Sequence, residues 1–234
     1  MSAFTAAFAS TWSRAAALAL VCAAAAPAWA QDPAAAPAAP PAAAPVRYAL
    51  GAGTALHVRV YKDPDTVASG LSHDHAIAST THSGSVTWTV GDPAACKLEI
   101  TVPVAGLDPD PDALRSKVGL PGVIEASARA EIKEHMLDTE QLNAKAFPNI
   151  TFASTSCSGS GEAITVAGKL SIRGKTKDVS VKMKVKADAS GFSASGSLPI
   201  KATDFGFQPF SALLGALKNK NDMTLVVNLV GKPG

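Results

Sequence analysis

From residue 46 to the end of the chain, apolar residues recur at every second position, and that regularity excludes most folds. Leu56, Val58 and Val60 alternate with His57, Arg59 and Tyr61. Val86, Trp88 and Val90 alternate with Thr87 and Thr89, and Leu98, Ile100 and Val102 with Lys97, Glu99 and Thr101. Side chains two apart share one face of an extended chain, so each stretch predicts a half-buried strand. Pro148 cannot donate a ladder hydrogen bond and suits a strand's first residue; after it Ile150 and Phe152 point one way, Thr151 and Ala153 the other. Similar runs over 164–172, 179–187, 192–200 and 223–230, with the region around Ile77, bring the strands to eight or nine. Lys182, Lys184 and Lys186 fall on the water side of theirs. Turns such as Ala189-Ser190-Gly191 are short, and a meander of this kind loses its exposed edges by closing. The expected fold is all-β, an antiparallel β-barrel of about eight strands with one or two short helices.

Two segments interrupt the alternation. Ile124, Ala128, Ile132 and Met136 recur at fourfold spacing, predicting an amphipathic helix over Val123–Met136 behind Gly119-Leu120-Pro121-Gly122. Phe205, Phe207, Phe210, Leu213, Leu214 and Leu217 form the densest apolar cluster, and Pro209 suits the first turn of a short helix. This cluster is expected to plug or line a barrel mouth.

The N-terminus reads as a targeting segment rather than structure. Arg14 precedes an apolar run over 15–26, and Ala28-Trp29-Ala30 is a small-x-small cleavage site, so residues 1–30 are expected to be a signal peptide. Residues 31–45 are almost wholly Ala and Pro, with nothing to bury against their ordering entropy, and are expected to be a disordered linker. Residues 46–234 then form one domain, exported to the periplasm or secreted. Of the three cysteines, Cys22 lies in the leader, and an oxidising compartment makes a Cys96–Cys157 disulfide the expected state of the other two.

Charge and motif limit the chemistry. The chain carries 21 basic and 19 acidic residues, a net charge of only +2, which argues against the clustered basic face that nucleic acid requires, and no such partner is expected. No Gly-x-Ser-x-Gly or Walker spacing is present, and no enzyme signature is found. Asp108-Pro109-Asp110-Pro111-Asp112 is acidic but too proline-stiffened for an EF-hand loop. His73-Asp74-His75, with His82 further on, is the one cluster that invites a metal: His73 and His75 share a face of an extended chain, and imidazoles so spaced can ligate Zn or Cu. Nothing in H-E-x-x-H spacing and no Cys pair completes the set, so these three histidines are weak candidates and solvated turn residues are the competing reading. His135 has Glu131 one helical turn before it, and a helix-end position suits a cation.

One series of residues resembles a known family. His135-Met136, Leu142-Asn143, Phe147-Pro148 and Ile150-x-Phe152, followed by Gly168-Lys169-Leu170-Ser171-Ile172-Arg173-Gly174-Lys175-Thr176-Lys177 and Asp204-Phe205-Gly206, is similar to the YceI-like lipid/polyisoprenoid-binding family. Leu142-Asn143 stands where Phe-Asp is more usual. The resemblance covers the chain from about Tyr48 onward. It implies a lipocalin-like barrel whose lumen takes the tail of an isoprenoid, of a ubiquinone-type quinone or a polyprenyl phosphate, with no cofactor required and with transient membrane contact. Lumen candidates are then Trp88, Ile150, Phe152, Leu170, Ile172, Val181, Met183 and Phe192 on strands, with Phe205, Phe207 and Phe210 near the mouth. A barrel of about eight strands has room for packed side chains or for one small ligand, so a plain core of the same residues, or a periplasmic metal-binding protein, stands beside that reading.

Overall fold

The computed structural model describes residues 43–234. The expected signal peptide, and all but the last three residues of the Ala/Pro-rich segment, lie outside the described residues. Alternation becomes strand throughout: β1 (Val46–Leu50), β2 (Ala55–Lys62), β3 (His75–Ser79), β4 (Ser83–Thr89), β5 (Asp92–Pro103), β6 (Leu107–Pro109), β7 (Asn149–Ser160), β8 (Ala163–Ile172), β9 (Lys175–Asp188), β10 (Gly191–Lys201), β11 (Ser211–Ala212) and β12 (Leu217–Pro233).

Three of the eight wall positions are broken strands. β1 and β2 both pair with β12; β4 pairs with β1 and β3 with β2; β5 pairs with β4 and β6 with β3. Each couple therefore lies end to end along one wall position. β5 then pairs with β7, and β7 to β10 run as a meander to β12, which returns to β1 and closes the antiparallel barrel. Closure removes the free edges that a flat meander would expose.

The two ends of the barrel differ in their connections. At one end the strands join through residues 90–91, 161–162 and 189–190, and at the other through 63–74, 110–148 and 202–216. The β8–β9 hairpin is the one tight turn at the latter end, with Arg173 (φ 50°) and Gly174 (φ 69°) between the paired Ile172 and Lys175. Positive φ at both central residues is what a two-residue hairpin requires. Arg173 also donates to the carbonyls of Gly206 and, at 2.7 Å, Thr139, tying two long loops to that tip.

Two expectations for these loops change. The predicted helix is α2 (Ala126–Leu137), preceded by the six-residue α1 (Asp112–Lys117); Ile124 lies ahead of α2, while Ile132 and Met136 face the barrel mouth. No α-helix follows Pro209: β11 folds back on β12, Ser211 against Lys218 and Ala212 against Leu217, through Leu213 (φ 52°) and Leu214 (φ 54°). Left-handed residues cannot continue a right-handed helix. Leu213 and Leu214 consequently point to solvent instead of plugging the mouth.

Candidate functional site

Inward side chains fill only half of the barrel. Toward the short-turn end Tyr48, Trp88, Phe192, Val86, Ile164, Val185 and Leu229 pack into one cluster. The Phe192 ring lies 5.6 Å from Tyr48 and 6.2 Å from Trp88, both tilted, as aromatic pairs prefer. Tyr48 is fully buried and satisfies its hydroxyl by donating to the Asp188 carbonyl at 2.8 Å. Burial, and next the Asp188 charge, pushes its pKa upward. The Cys96–Cys157 disulfide joins neighbouring β5 and β7 in this half, with Cα atoms 6.0 Å apart.

Toward the long-loop end the same wall encloses a cavity of about 290 Å³. Its wall is Val58 and Val60, Ile77, Ile100 and Val102, Ile150 and Phe152, Leu170 and Ile172, Leu198 and Ile200, Met223 and Leu225. Ile132 and Met136 of α2, with Leu142, Phe207, Pro209 and Phe210, rim it. Phe152 lies flat across β8 because Gly168 offers no side chain; a Cβ there would fall 2.5 Å from the ring. Polar groups gather at the opening: His135, Gln141, Asn219 and Lys220. The His135 ring sits 5.2 Å from that of Phe210 and 3.7 Å from Glu131.

The lumen candidates therefore separate. Ile150, Phe152, Leu170, Ile172, Val181, Met183, Phe207 and Phe210 border the cavity. Trp88 and Phe192 do not: their height on the wall puts them in the packed half. Phe205 is 1% exposed and lies beneath the cavity rim, packed with Leu170, Ile172, Ile200 and Phe207.

A buried ionic network stands beside the mouth. Asp110, fully buried and at φ 52°, follows β6 between two prolines. Its Oδ1 accepts from the Ala76 amide at 3.0 Å and from Arg115 at 2.8 Å; its Oδ2 lies 2.6 Å from His75 Nδ1. Burial favours the neutral carboxyl, but the hydrogen bonds of His75, Ala76 and Arg115 more than offset it and hold the pKa below the usual range. An ionised carboxylate only accepts, so His75 Nδ1 carries a proton, and in the neutral imidazole the lone pair is then on Nε2. Arg115, 2% exposed, also donates to the carbonyls of Asp74, Pro121 and Gly122.

His73 stacks at a tilt 4.5 Å from His75, and its Nε2 is buried without a hydrogen-bond partner among the described residues. Burial, and next the neighbouring His75, draws its pKa below the ordinary value. Among the described residues, donor atoms of His73, His75 and Asp110 lie within 4.8 Å of one another, a set that can hold a metal ion. His82 is not in it, because the break between β3 and β4 carries it away from the cluster. Asp110 and Arg115 were not candidates from sequence. The available signal was an aspartate locked between prolines directly after a strand, where its carboxylate can reach only neighbouring backbone and side chains.

Comparison with known proteins follows the same lines. A YceI-like domain profile matches residues 61–230. A UPF0312 protein of Enterobacter sp. (strain 638) is 30% identical over 135 residues, 53% of this chain and 61% of that protein. Protein YceI of Salmonella arizonae is 27% identical over 135 residues, with the same shares of 53% and 61%. The chain thus spans about three fifths of the length of these relatives. The crystal structure of Burkholderia cenocepacia BcnA superposes with a TM-score of 0.55 at 20% identity, covering 75% of this chain and 95% of BcnA. A Campylobacter jejuni YceI protein gives a TM-score of 0.50 at 18% identity over 68% of this chain and 84% of its own. At these identities the likeness is one of fold.

Proposed function

The chain belongs to the YceI-like family, and from that premise we propose that it is an exported lipid-binding protein that holds the apolar tail of an isoprenoid in the open half of its barrel, for storage or transport. The observation that carries this reading is the cavity of about 290 Å³, lined overwhelmingly by apolar side chains, with His135, Gln141, Asn219 and Lys220 at its opening. Apolar cavities of about 150 Å³ already stay dry and take benzene-sized guests, and small-molecule sites run from about 300 to 1,000 Å³. A tail needs no directional contact here. Each methylene-sized unit withdrawn from water contributes about 0.8 kcal/mol. A chain of several isoprenes exceeds the cavity, so its head stays at the mouth beside His135, Gln141, Asn219 and Lys220. The role is one of binding, with the periplasm or the extracellular space as its setting.

Solvent extraction of protein purified from its native host, followed by mass spectrometry, tests the reading. The expected result is a long-chain quinone or polyprenyl compound, lost in Phe152→Asp and Ile172→Asp, which place an unpaired charge against the tail, and retained in Lys184→Glu on the outer face. Parent protein that yields no isoprenoid, and whose melting temperature a long-chain quinone does not raise, overturns it.

A further inference from the structure

The histidine cluster beside the mouth is unexplained by lipid binding. Buried polar atoms are nearly always hydrogen-bonded, yet His73 Nε2 has no partner among the described residues. His75 Nδ1 is held at 2.6 Å by a carboxylate that Arg115 and the Ala76 amide fix in turn, which leaves Nε2 without a protein partner. An imidazole whose one nitrogen donates to a buried carboxylate, with the other nitrogen free, is the arrangement of metal-ligating histidines and their outer carboxylates.

We propose that His73 and His75 bind one late first-row divalent cation, Zn²⁺ or Cu²⁺, through a nitrogen of each ring, with Asp110 as the carboxylate that orients His75. Bonds of about 2.0–2.1 Å require tetrahedral donors roughly 3.3 Å apart. One donor atom from each of His73, His75 and Asp110 lies within 4.8 Å of the other two, and His73 sits in the loop before β3, so that bringing its ring nitrogen to His75 Nε2 asks for a side-chain rotation rather than the movement of a strand. Arg115 does not repel the ion as a free cation would, because Asp110 neutralises it at 2.8 Å. Two neutral imidazoles favour Cu²⁺ over Zn²⁺, and Mg²⁺ or Ca²⁺, which take oxygen ligands, are excluded. His75 also borders the cavity, so the remaining coordination positions open toward the barrel mouth.

The test uses tag-free, chelator-treated, delipidated protein titrated calorimetrically with Cu²⁺ and with Zn²⁺, so that its outcome does not depend on what the lumen holds. The expected result is one ion per chain, with Cu²⁺ the tighter. His73→Gln, in a loop outside the core, and His75→Gln are each expected to weaken binding at least a hundredfold while the circular dichroism stays that of the parent. Asp110→Asn is expected to weaken it about 10- to 100-fold through the lost outer carboxylate. His82→Gln and His135→Gln bind as the parent does. Absence of stoichiometric binding to the parent, or parent-like binding by His73→Gln, overturns the proposal.

Discussion

At the short-turn end of the barrel, Tyr48, Trp88, Phe192 and Leu229 interlock until no room is left; toward the long-loop end, the same strands carry Val58, Ile77, Val102 and Ile150 around a hollow. Both halves obey the same inward and outward alternation. What separates them is the volume of the inward side chains and the length of the connections: three aromatic rings and two-residue turns at one end, mostly aliphatic side chains and loops of up to 39 residues (110–148) at the other. A closed barrel of this size can thus be plugged and hollow on one set of strands. Tight packing is concentrated in the plugged half and free volume in the hollow one.

The largest contrast is expected from truncation. Phe192→Ala removes a ring packed on all sides and should cost about 3–5 kcal/mol, whereas Ile150→Ala, beside existing space, should cost about 2 kcal/mol, the low end for its type. Urea midpoints at unchanged slope measure both. Equal costs would mean that the hollow is filled in solution.

Removing the disulfide should act on the plugged half alone. Cys96 and Cys157 are 61 residues apart, and releasing a loop of that size costs about 4 kcal/mol in the chain-entropy account. The Cys96→Ser/Cys157→Ser double variant should lose that stability yet, on the function proposed above, still bind an isoprenoid lipid at temperatures where it remains folded. Loss of lipid from the folded variant would show that the two halves are coupled.

Asp110→Asn breaks the buried pair beside the mouth and leaves Arg115 unpaired, a loss of about 3 kcal/mol. Its pH dependence has a definite sign. The folded pKa of Asp110 lies below its unfolded value, so the contribution is complete above that unfolded value, about 3.9, and is lost as pH falls through the folded one. Melting temperatures of parent and variant should therefore differ most near neutrality and converge under acid. A gap that persists at low pH would assign the loss to packing.

The smallest effect comes from adding volume. Val86→Phe, in the plugged half where Val86 is 2% exposed, should destabilise by about 1–3 kcal/mol through overpacking. Val58→Phe adds the same atoms to the hollow half, where they fit. Its stability should stay within about 1 kcal/mol of the parent, since the added surface is buried rather than crowded. Extracted lipid should fall in Val58→Phe alone.

Much of this molecule follows directly from its residues. Period two marked the strand runs, the inward set and the outward Lys182, Lys184 and Lys186, and a meander with short turns has one economical way to hide its edges. The pairing of Cys96 with Cys157, on strands that proved to be neighbours, needed only compartment and parity. Alternation tells which face a side chain takes but not its height along the barrel. Height depends on which end of the barrel a strand's tip meets: Trp88 and Phe192 lie beside the short turns at 90–91 and 189–190 and fall in the plug, while Ile150 and Phe152 follow the long 110–148 connection and reach the cavity. Local pattern was equally silent on the loop after Pro209, where pairing with β12 and two left-handed leucines override a helical start. The Asp110 network is tertiary in the strictest sense: His75 lies 35 residues away in sequence, and only the pairing of β3 with β6 brings the carboxylate to the imidazole. A charge is buried only where its partners already wait, and that condition is set by the folded chain.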